Sequence, residues 1–163
     1  MPLAFTEKQK FTQWWVWALL GVAVLVPLYG LYTQGFLNET FGNEPLPTWA
    51  LGLLLLGMVL PAVLIYVIEL RTTIDDTGIH VNFFPFTKRA IPWNDIAEAE
   101  VLNYGFVGGW GIRFGTRYGT VYNTRGDVGV APRLKPGKKL CIGTQKEEEL
   151  RAVLAEARRL RKL

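Results

Sequence analysis

The apolar residues of this chain are concentrated in two uncharged stretches near its start, residues 11–38 and 45–68. Each is long enough to supply the roughly 20 residues with which an α-helix crosses about 30 Å of hydrocarbon. We therefore predict a hairpin of two transmembrane helices, over about residues 12–33 and 47–68.

Aromatic side chains mark both ends of both predicted helices, as expected where rings occupy the headgroup zone of a bilayer. Neither helix carries a charged side chain, and because charge within the bilayer is typical of transport paths, we do not expect a transporter or channel. No small-residue cleavage motif follows the first helix, so we predict a retained helix rather than a cleaved signal peptide. The aromatic residues are Trp14, Trp15, Trp17, Tyr29, Tyr32, Trp49 and Tyr66.

The basic residues that flank the two helices predict their orientation. Lys8 and Lys10 precede the first helix, Arg71 follows the second, and the connecting residues 33–47 include no lysine or arginine. Short cytosolic segments accumulate lysine and arginine. We therefore expect both termini to lie in the cytosol.

From residue 71 the pattern changes to short segments of β-branched and aromatic residues separated by turn signals, as in antiparallel β domains. The turns at residues 75–78 and 135–137 combine aspartate, proline and glycine, which favour hairpin connections. We predict seven or eight strands, chosen from residues 70–74, 78–84, 89–93, 97–104, 111–116, 120–123, 129–134 and 139–143.

A C-terminal helix is predicted from residue 144 onwards. Thr144 and Glu147 have the spacing of a capping box, and acidic residues at 147–149 with basic residues from 158 onwards match the helix dipole. One face is apolar and should be buried against one end of the β domain. Its residues are Leu150, Val153, Leu154, Ala157 and Leu160.

The order of these elements resembles the bacterial pleckstrin-homology-like domain of small membrane proteins. The local sequence at residues 108–113, 122–123, 126–130, 137–139 and 142–148 is similar to an uncharacterised bacterial family of that type. The resemblance implies an α+β membrane protein of the bacterial cytoplasmic membrane, with a transmembrane hairpin at 1–70 and a cytosolic domain at 71–163. That domain would be an antiparallel β-barrel or sandwich of about seven strands, capped by the C-terminal amphipathic helix.

The composition argues against several kinds of chemistry. With one cysteine, Cys141, and one histidine, His80, the chain can form no internal disulfide and has little from which to build a zinc site. The chain contains no serine, and no carboxylate is visibly paired with His80 in the sequence, so we expect neither an enzyme nor a metal or other cofactor. Cys141 lies in an apolar strand, where a buried inert thiol is expected.

Residues 69–163 contain 16 Lys+Arg and 11 Asp+Glu, a net charge of +5, which would favour an anionic membrane surface. The alternative is that these charges only solvate the domain and set its orientation. The turn at 75–78 is acidic, which argues against phosphoinositide recognition through that turn. The chain has no dense stripe of basic residues, which argues against nucleic-acid binding. The candidate lipid contacts are Lys88, Arg89, Arg158, Arg159, Arg161 and Lys162.

The glycine-rich segment 104–111 holds Phe106, Val107 and Trp110, apolar side chains that we expect to contact a partner or the bilayer surface, unless Trp110 fills the barrel. The leading hypothesis is a non-catalytic membrane-anchored scaffold or accessory protein that binds another protein or a second copy of itself. An anionic-lipid-sensing module is the alternative, and an enzyme of unknown type is third. No small-molecule substrate is evident.

Overall fold

The structure is a computed structural model that describes residues 4–135 and 137–160. Within these residues the chain is α+β, with three α-helices and two β-sheets. It divides into two compact units: residues Thr12–Val67 form one, and the residues up to Phe11 form the other together with those from Ile68 onwards.

The first unit is a helical hairpin of α1 (Trp14–Tyr32) and α2 (Thr48–Val67). A short π-helical segment, Thr33–Leu37, extends α1. Both helices are long and apolar enough to cross a membrane. The two predicted helices are therefore present as a helical hairpin, and each of their four ends lies within two residues of its predicted position.

The two hairpin helices approach each other where α1 has a glycine. A Cβ built on Gly30 would lie 2.8 Å from Phe41 Cδ1 and 3.2 Å from Leu51 Cδ1, so a side chain there would collide with both. Leu51 is almost fully buried by this approach. At the other end of the hairpin, the rings of Trp17 and Tyr66 meet edge to face with centroids 6.3 Å apart.

The second unit contains both sheets. Sheet A is antiparallel and has the order β1 (Phe5–Lys10), β2 (Glu69–Ile74), β3 (Gly78–Phe84), β4 (Thr87–Pro92). Sheet B has the order β5-β8-β9-β7-β6, with β5 at Ile96–Asn103, β6 at Gly111–Thr116, β7 at Gly119–Asn123, β8 at Val128–Leu134 and β9 at Leu140–Gly143. All eight predicted strands are present, each within two residues of its predicted ends.

Strand β1 was not predicted, and it changes the organisation of the chain. It pairs with β2 from Phe5 opposite Ile74 to Lys10 opposite Glu69. The hairpin is therefore an insertion between the first two strands of one sheet, whereas the predicted division at residue 70 separated these strands. The pattern was missed because the buried positions of β1 include Glu7 and Gln9, which break the apolar alternation expected of a strand.

One hydrophobic core lies between the two sheets and α3 (Glu147–Arg159). Sheet A contributes Leu70 and Phe83, sheet B contributes Tyr122 and Ile142, and α3 contributes Leu150. The sheets do not close into a barrel, because no described strand of one is hydrogen-bonded to a strand of the other. The domain is also not wholly antiparallel, since β7 and β9 pair in parallel.

The predicted capping box at the start of α3 is wrong. The helix begins at Glu147, and its N-cap, Lys146, makes no side-chain capping bond. The Thr144 hydroxyl accepts a hydrogen bond from the Lys146 amide at 3.0 Å, while Glu147 pairs with Arg151 one turn ahead at 2.7 Å. The Thr144 proton goes instead to Glu7, a partner that only the tertiary structure supplies.

Candidate functional site

A buried polar network joins β1 to sheet B and to the segment before α3. Glu7 is only 4% exposed. Its carboxylate accepts hydrogen bonds from Thr144 Oγ1 at 2.6 Å and from the Gln145 amide at 2.7 Å. Gln9, 3% exposed, donates to the Gly143 carbonyl at 2.8 Å and accepts from Thr124 Oγ1 at 3.0 Å. These bonds leave both side chains satisfied, as burial of polar groups requires.

This network places the end of β1 beside particular residues of sheet B. Gln9 contacts Thr124 and Gly143, which lie just after β7 and at the end of β9. Residues 104–110, the glycine-rich loop, run alongside Gly126 and Asp127 in the β7–β8 turn. The loop and the end of β1 therefore lie on the same side of the β unit.

Tyr104 holds the base of the glycine-rich loop. Its hydroxyl donates to the Gly126 carbonyl at 3.1 Å and accepts from Asn123 Nδ2 at 3.3 Å, and its amide donates to the Asp127 carbonyl at 2.7 Å. Burial raises the pKa of Tyr104 to about 12, so the hydroxyl keeps its proton and its role as a donor. The start of the loop is thus fixed by hydrogen bonds to the β7–β8 turn.

The apolar side chains of the loop have different environments. Val107 packs beside a small buried cluster of Tyr104, Val121 and Cys141 on the side of sheet B away from the main core. Phe106 is 89% exposed, and Trp110 is 37% exposed and belongs to neither buried cluster. The alternative that Trp110 fills the interior of the β domain is therefore wrong.

A cavity of about 290 Å³ lies between the loop and the β7–β8 turn, with Phe106 and Trp110 among its lining residues and Asn123 and Asp127 opposite them. Gly109 is favoured in the loop because its φ of +117° is a backbone conformation that residues with a Cβ rarely adopt. The loop therefore presents two aromatic side chains beside a concave surface.

Cys141 is fully buried in the second cluster, and burial raises the pKa of its thiol to about 12. A thiol with so high a pKa contains almost no thiolate at neutral pH and is a poor nucleophile. The expectation that this thiol is buried is confirmed.

The candidate lipid-contact residues lie on separate elements. Lys88 and Arg89 are exposed on β4, an edge strand of sheet A. On α3, Arg158 donates to the Ala99 carbonyl of β5 at 2.7 Å, and Arg159 pairs with Glu156 at 2.7 Å. Arg161 and Lys162 lie outside the described residues.

His80 has a carboxylate partner, contrary to the expectation from sequence. Its Nε2 atom lies 3.2 Å from Asp75 Oδ2 and 2.9 Å from Thr77 Oγ1. The Thr77 hydroxyl donates its proton to Asp75 and can only accept from His80, so His80 is not placed to remove that proton. Asp75 also accepts hydrogen bonds from the Thr77 and Gly78 amides, so this cluster stabilises the β2–β3 turn.

The same contacts determine the titration of Asp75. Its pKa is lowered to about 2, chiefly because the Thr77 hydroxyl donates to the carboxylate, with further help from the Thr77 amide and His80.

Among the residues that the structure describes, no group of three or more histidine, cysteine, aspartate or glutamate side chains could hold a metal ion.

Comparison with known proteins adds no relative: no family model matches the sequence, and no curated protein is similar to it.

Proposed function

We propose that this protein is a non-catalytic binding module anchored in the bacterial cytoplasmic membrane, with α1 and α2 as two transmembrane helices and the β unit in the cytosol. Apolar side chains on every side of both helices support the anchor, since only 11% and 6% of their most apolar windows are buried. Apolar helices of this length are stable in a bilayer because each satisfies its own backbone hydrogen bonds.

The pairing of β1 with β2 supports an even number of membrane crossings. Lys10, just before α1, lies opposite Glu69, just after α2, so the chain leaves and rejoins one sheet at adjacent positions. Both ends of the hairpin must then lie on the same side of the bilayer. The excess of Lys8, Lys10 and Arg71 over acidic residues at these ends favours the cytosolic side.

A pleckstrin-homology-like relationship is part of this proposal. Two sheets that share a core with a C-terminal helix support it, because such domains combine a β-sandwich with a helix at the end of the chain. The parallel β7–β9 pair and the hairpin inserted after β1 are departures from a simple antiparallel version of that plan. Since folds of this kind host many roles, the function has to come from the surface.

The partner site that we propose is the glycine-rich loop, and the observation that carries it is the 89% exposure of Phe106 beside the cavity. Exposed aromatic side chains next to a concave surface are typical anchors of protein interfaces. Because the Tyr104 hydrogen bonds fix the base of the loop, binding there would cost little ordering entropy. The partner is expected to be a protein that inserts an apolar side chain beside Phe106 and Trp110.

Copurification from native membranes in mild detergent tests this function. We expect a stoichiometric protein partner with the unaltered chain and its loss with Phe106→Ser plus Trp110→Ser. Phe114→Ser is the matched control, because Phe114 is also highly exposed but lies on β6, outside the loop. Equal recovery of the partner with the loop variant and with the control would count against the site, and recovery of no partner at all would count against the function.

A further inference from the structure

The outward face of sheet A carries a row of four polar side chains, one on each strand, of which three are basic. Lys8 lies opposite Arg71, Arg71 opposite Asn82, and Asn82 opposite Lys88. On β1, β2 and β3 the positions on either side of these residues are buried, so Lys8, Arg71 and Asn82 face outward. Lys88 is exposed on β4 directly opposite Asn82 and lies on the same face. Arg89 is exposed at the edge of the sheet but is not part of the row, because it lies opposite Val81, whose side chain is in the core.

The next row towards the end of β1 consists of Lys10, Glu69 and Phe84. Glu69 pairs with Arg71 at 2.9 Å. The two rows together hold four cations and one carboxylate, so this end of the outward face is strongly positive. We call Lys8, Lys10, Arg71 and Lys88 the basic face.

The turn between β3 and β4 adjoins the basic face and exposes two phenylalanines. Phe84 is 50% exposed and Phe86 is 55% exposed. The turn is held by a hydrogen bond from the Phe86 amide to the Phe83 carbonyl at 2.8 Å, and the Phe86 ring lies 6.2 Å from the ring of Phe83, a core residue. Two large apolar side chains are thus presented to the outside from a fixed turn.

Chain connectivity places this turn close to the point where the hairpin joins the sheet. Only Ile68 separates the end of α2 from Glu69, which lies opposite Phe84. Two residues extend at most about 8 Å, and opposite residues of an antiparallel pair are about 5 Å apart. Covalent and strand geometry alone therefore keep the Phe84 backbone within about 13 Å of the last residue of α2.

We propose that the β3–β4 turn and the basic face bind the cytosolic surface of an anionic bilayer. Phe84 and Phe86 enter the interfacial zone, where aromatic side chains are favoured, and the basic face contacts headgroup phosphates. This inference rests on the proposed membrane anchor and goes beyond the proposed partner site, because it involves other residues and another ligand. It makes the domain a two-point attachment, through the hairpin and through this surface.

The proposed contact with the bilayer can be tested with a single fluorescent label on each molecule. Cys141 is buried with a raised pKa, so a cysteine introduced at Phe86 can be modified selectively with an environment-sensitive fluorophore in the full chain. The control label replaces Asp76, in the turn at the opposite end of β2 and β3. This turn is roughly 20 Å further along the strands at about 3.4 Å per residue. In each variant, a Cys141 thiol that stays unmodified by the reagent reports that the β unit is folded.

In vesicles where about a third of the lipid is phosphatidylglycerol, we expect iodide to quench the label at 86 roughly fivefold less than the label at 76. The difference should fall by about half or more in neutral vesicles, and also in anionic vesicles with Lys8→Glu plus Lys88→Glu, because the electrostatic attraction is lost. Equal quenching of the two labels in anionic vesicles would overturn the inference.

Lys135→Glu plus Lys138→Glu is the matched charge control. Lys135 Nζ donates to the Asn94 carbonyl, and Nε1 of the neighbouring Trp93 donates to the Asp75 backbone carbonyl, so Lys135 lies near the β2–β3 turn at the opposite end of sheet A. The Lys138 carbonyl accepts from the Leu134 amide, next to Lys135. In anionic vesicles these substitutions should leave the protection of the label at 86 unchanged, whereas Lys8→Glu plus Lys88→Glu should reduce it about twofold. Equal effects of the two pairs would overturn a specific role for the basic face.

The failures of the inference and of the membrane anchor are distinguishable. A chain that resists carbonate extraction from vesicles but has a fully quenchable label at 86 would overturn the inference and leave the anchor in place. A chain that carbonate extracts would overturn both.

Discussion

Glu7 Oε2 accepts a hydrogen bond from Thr144 Oγ1 at 2.6 Å, although the two residues are 137 positions apart in the sequence. Glu7 belongs to the strand before the hairpin, and Thr144 lies just before the C-terminal helix. The β unit is therefore complete only when the first strand, made before the two apolar helices, meets the last elements, made after them.

The first prediction concerns this bond. Glu7→Ala should lower the free energy of unfolding of the β unit by about 1–3 kcal/mol, because the Thr144 hydroxyl and the Gln145 amide lose a buried acceptor. Denaturant titration in detergent, followed by near-ultraviolet circular dichroism, measures the change. Lys8→Ala is the control, since this exposed neighbour should change stability by no more than about 0.5 kcal/mol. Equal effects of the two substitutions would contradict a stabilising network.

The second prediction concerns the contribution of β1 to folding. A fragment that starts at Ile68 should fail to unfold cooperatively, because it lacks an edge strand and the partners of Thr144 and Gly143. A fusion of residues 4–10 to residues 69–160 through Asn-Gly should fold, since Lys10 and Glu69 are opposite each other and a two-residue turn can join them.

Thermal unfolding and amide dispersion in nuclear magnetic resonance spectra would separate the two proteins. A fusion with Glu7 and Gln9 both replaced by alanine is an informative control, because it keeps the strand but removes the network. Cooperative unfolding of the fragment without β1, at the same midpoint as the fusion, would show that the first strand is dispensable.

The third prediction follows from the lowered pKa of Asp75. The unfolded carboxyl has a pKa near 3.8 and the folded one near 2, so Asp75 contributes stability that is fully present above pH 3.8. This contribution is lost as the pH falls through 3.8 towards about 2. The difference in stability between the unaltered chain and Asp75→Asn should therefore shrink over that window.

Thr77→Val tests the cause assigned to this shift. Because the Thr77 hydroxyl is the largest influence on Asp75, the pKa of the carboxyl should move back towards 3.8 in that variant. Titration of the Asp75 side-chain carbonyl by nuclear magnetic resonance, in a soluble fusion that folds as predicted above, measures it directly. An unchanged midpoint would show that another group holds the carboxylate in its charged form.

The fourth prediction concerns the hairpin. Gly30→Leu should destabilise the packing of α1 on α2 by about 1–3 kcal/mol, because the new side chain would overlap Phe41 and Leu51. Gly21→Leu is a matched control on the same helix, since nothing lies within 4 Å of the Cβ position at Gly21. Disulfide cross-linking of cysteines introduced at Trp17 and Tyr66 reports whether the helices remain adjacent, and equal cross-linking in both variants would contradict the contact.

Parts of the candidate site were accessible from sequence, and parts were not. The exposure of Phe106 could be anticipated, because an apolar residue among glycines has few neighbours with which to pack. The outward row from Lys8 to Lys88 could not, because its four members lie on four different strands and meet only through strand register. The Asp75–His80 pair was not predicted, although the two residues are only five positions apart across a predicted hairpin.

The sequence by itself determined the two apolar helices, the eight strands after them and the C-terminal helix. These depend on local properties: the length of an uncharged stretch, the period of apolar residues and the residues that favour turns. Tertiary structure alone decided that Phe5–Lys10 is a strand, that β7 and β9 run parallel and that the sheets stay open. The physical reason is that Glu7 and Gln9 are stable inside the protein only with hydrogen-bond partners more than 100 residues away, and no local pattern carries that information.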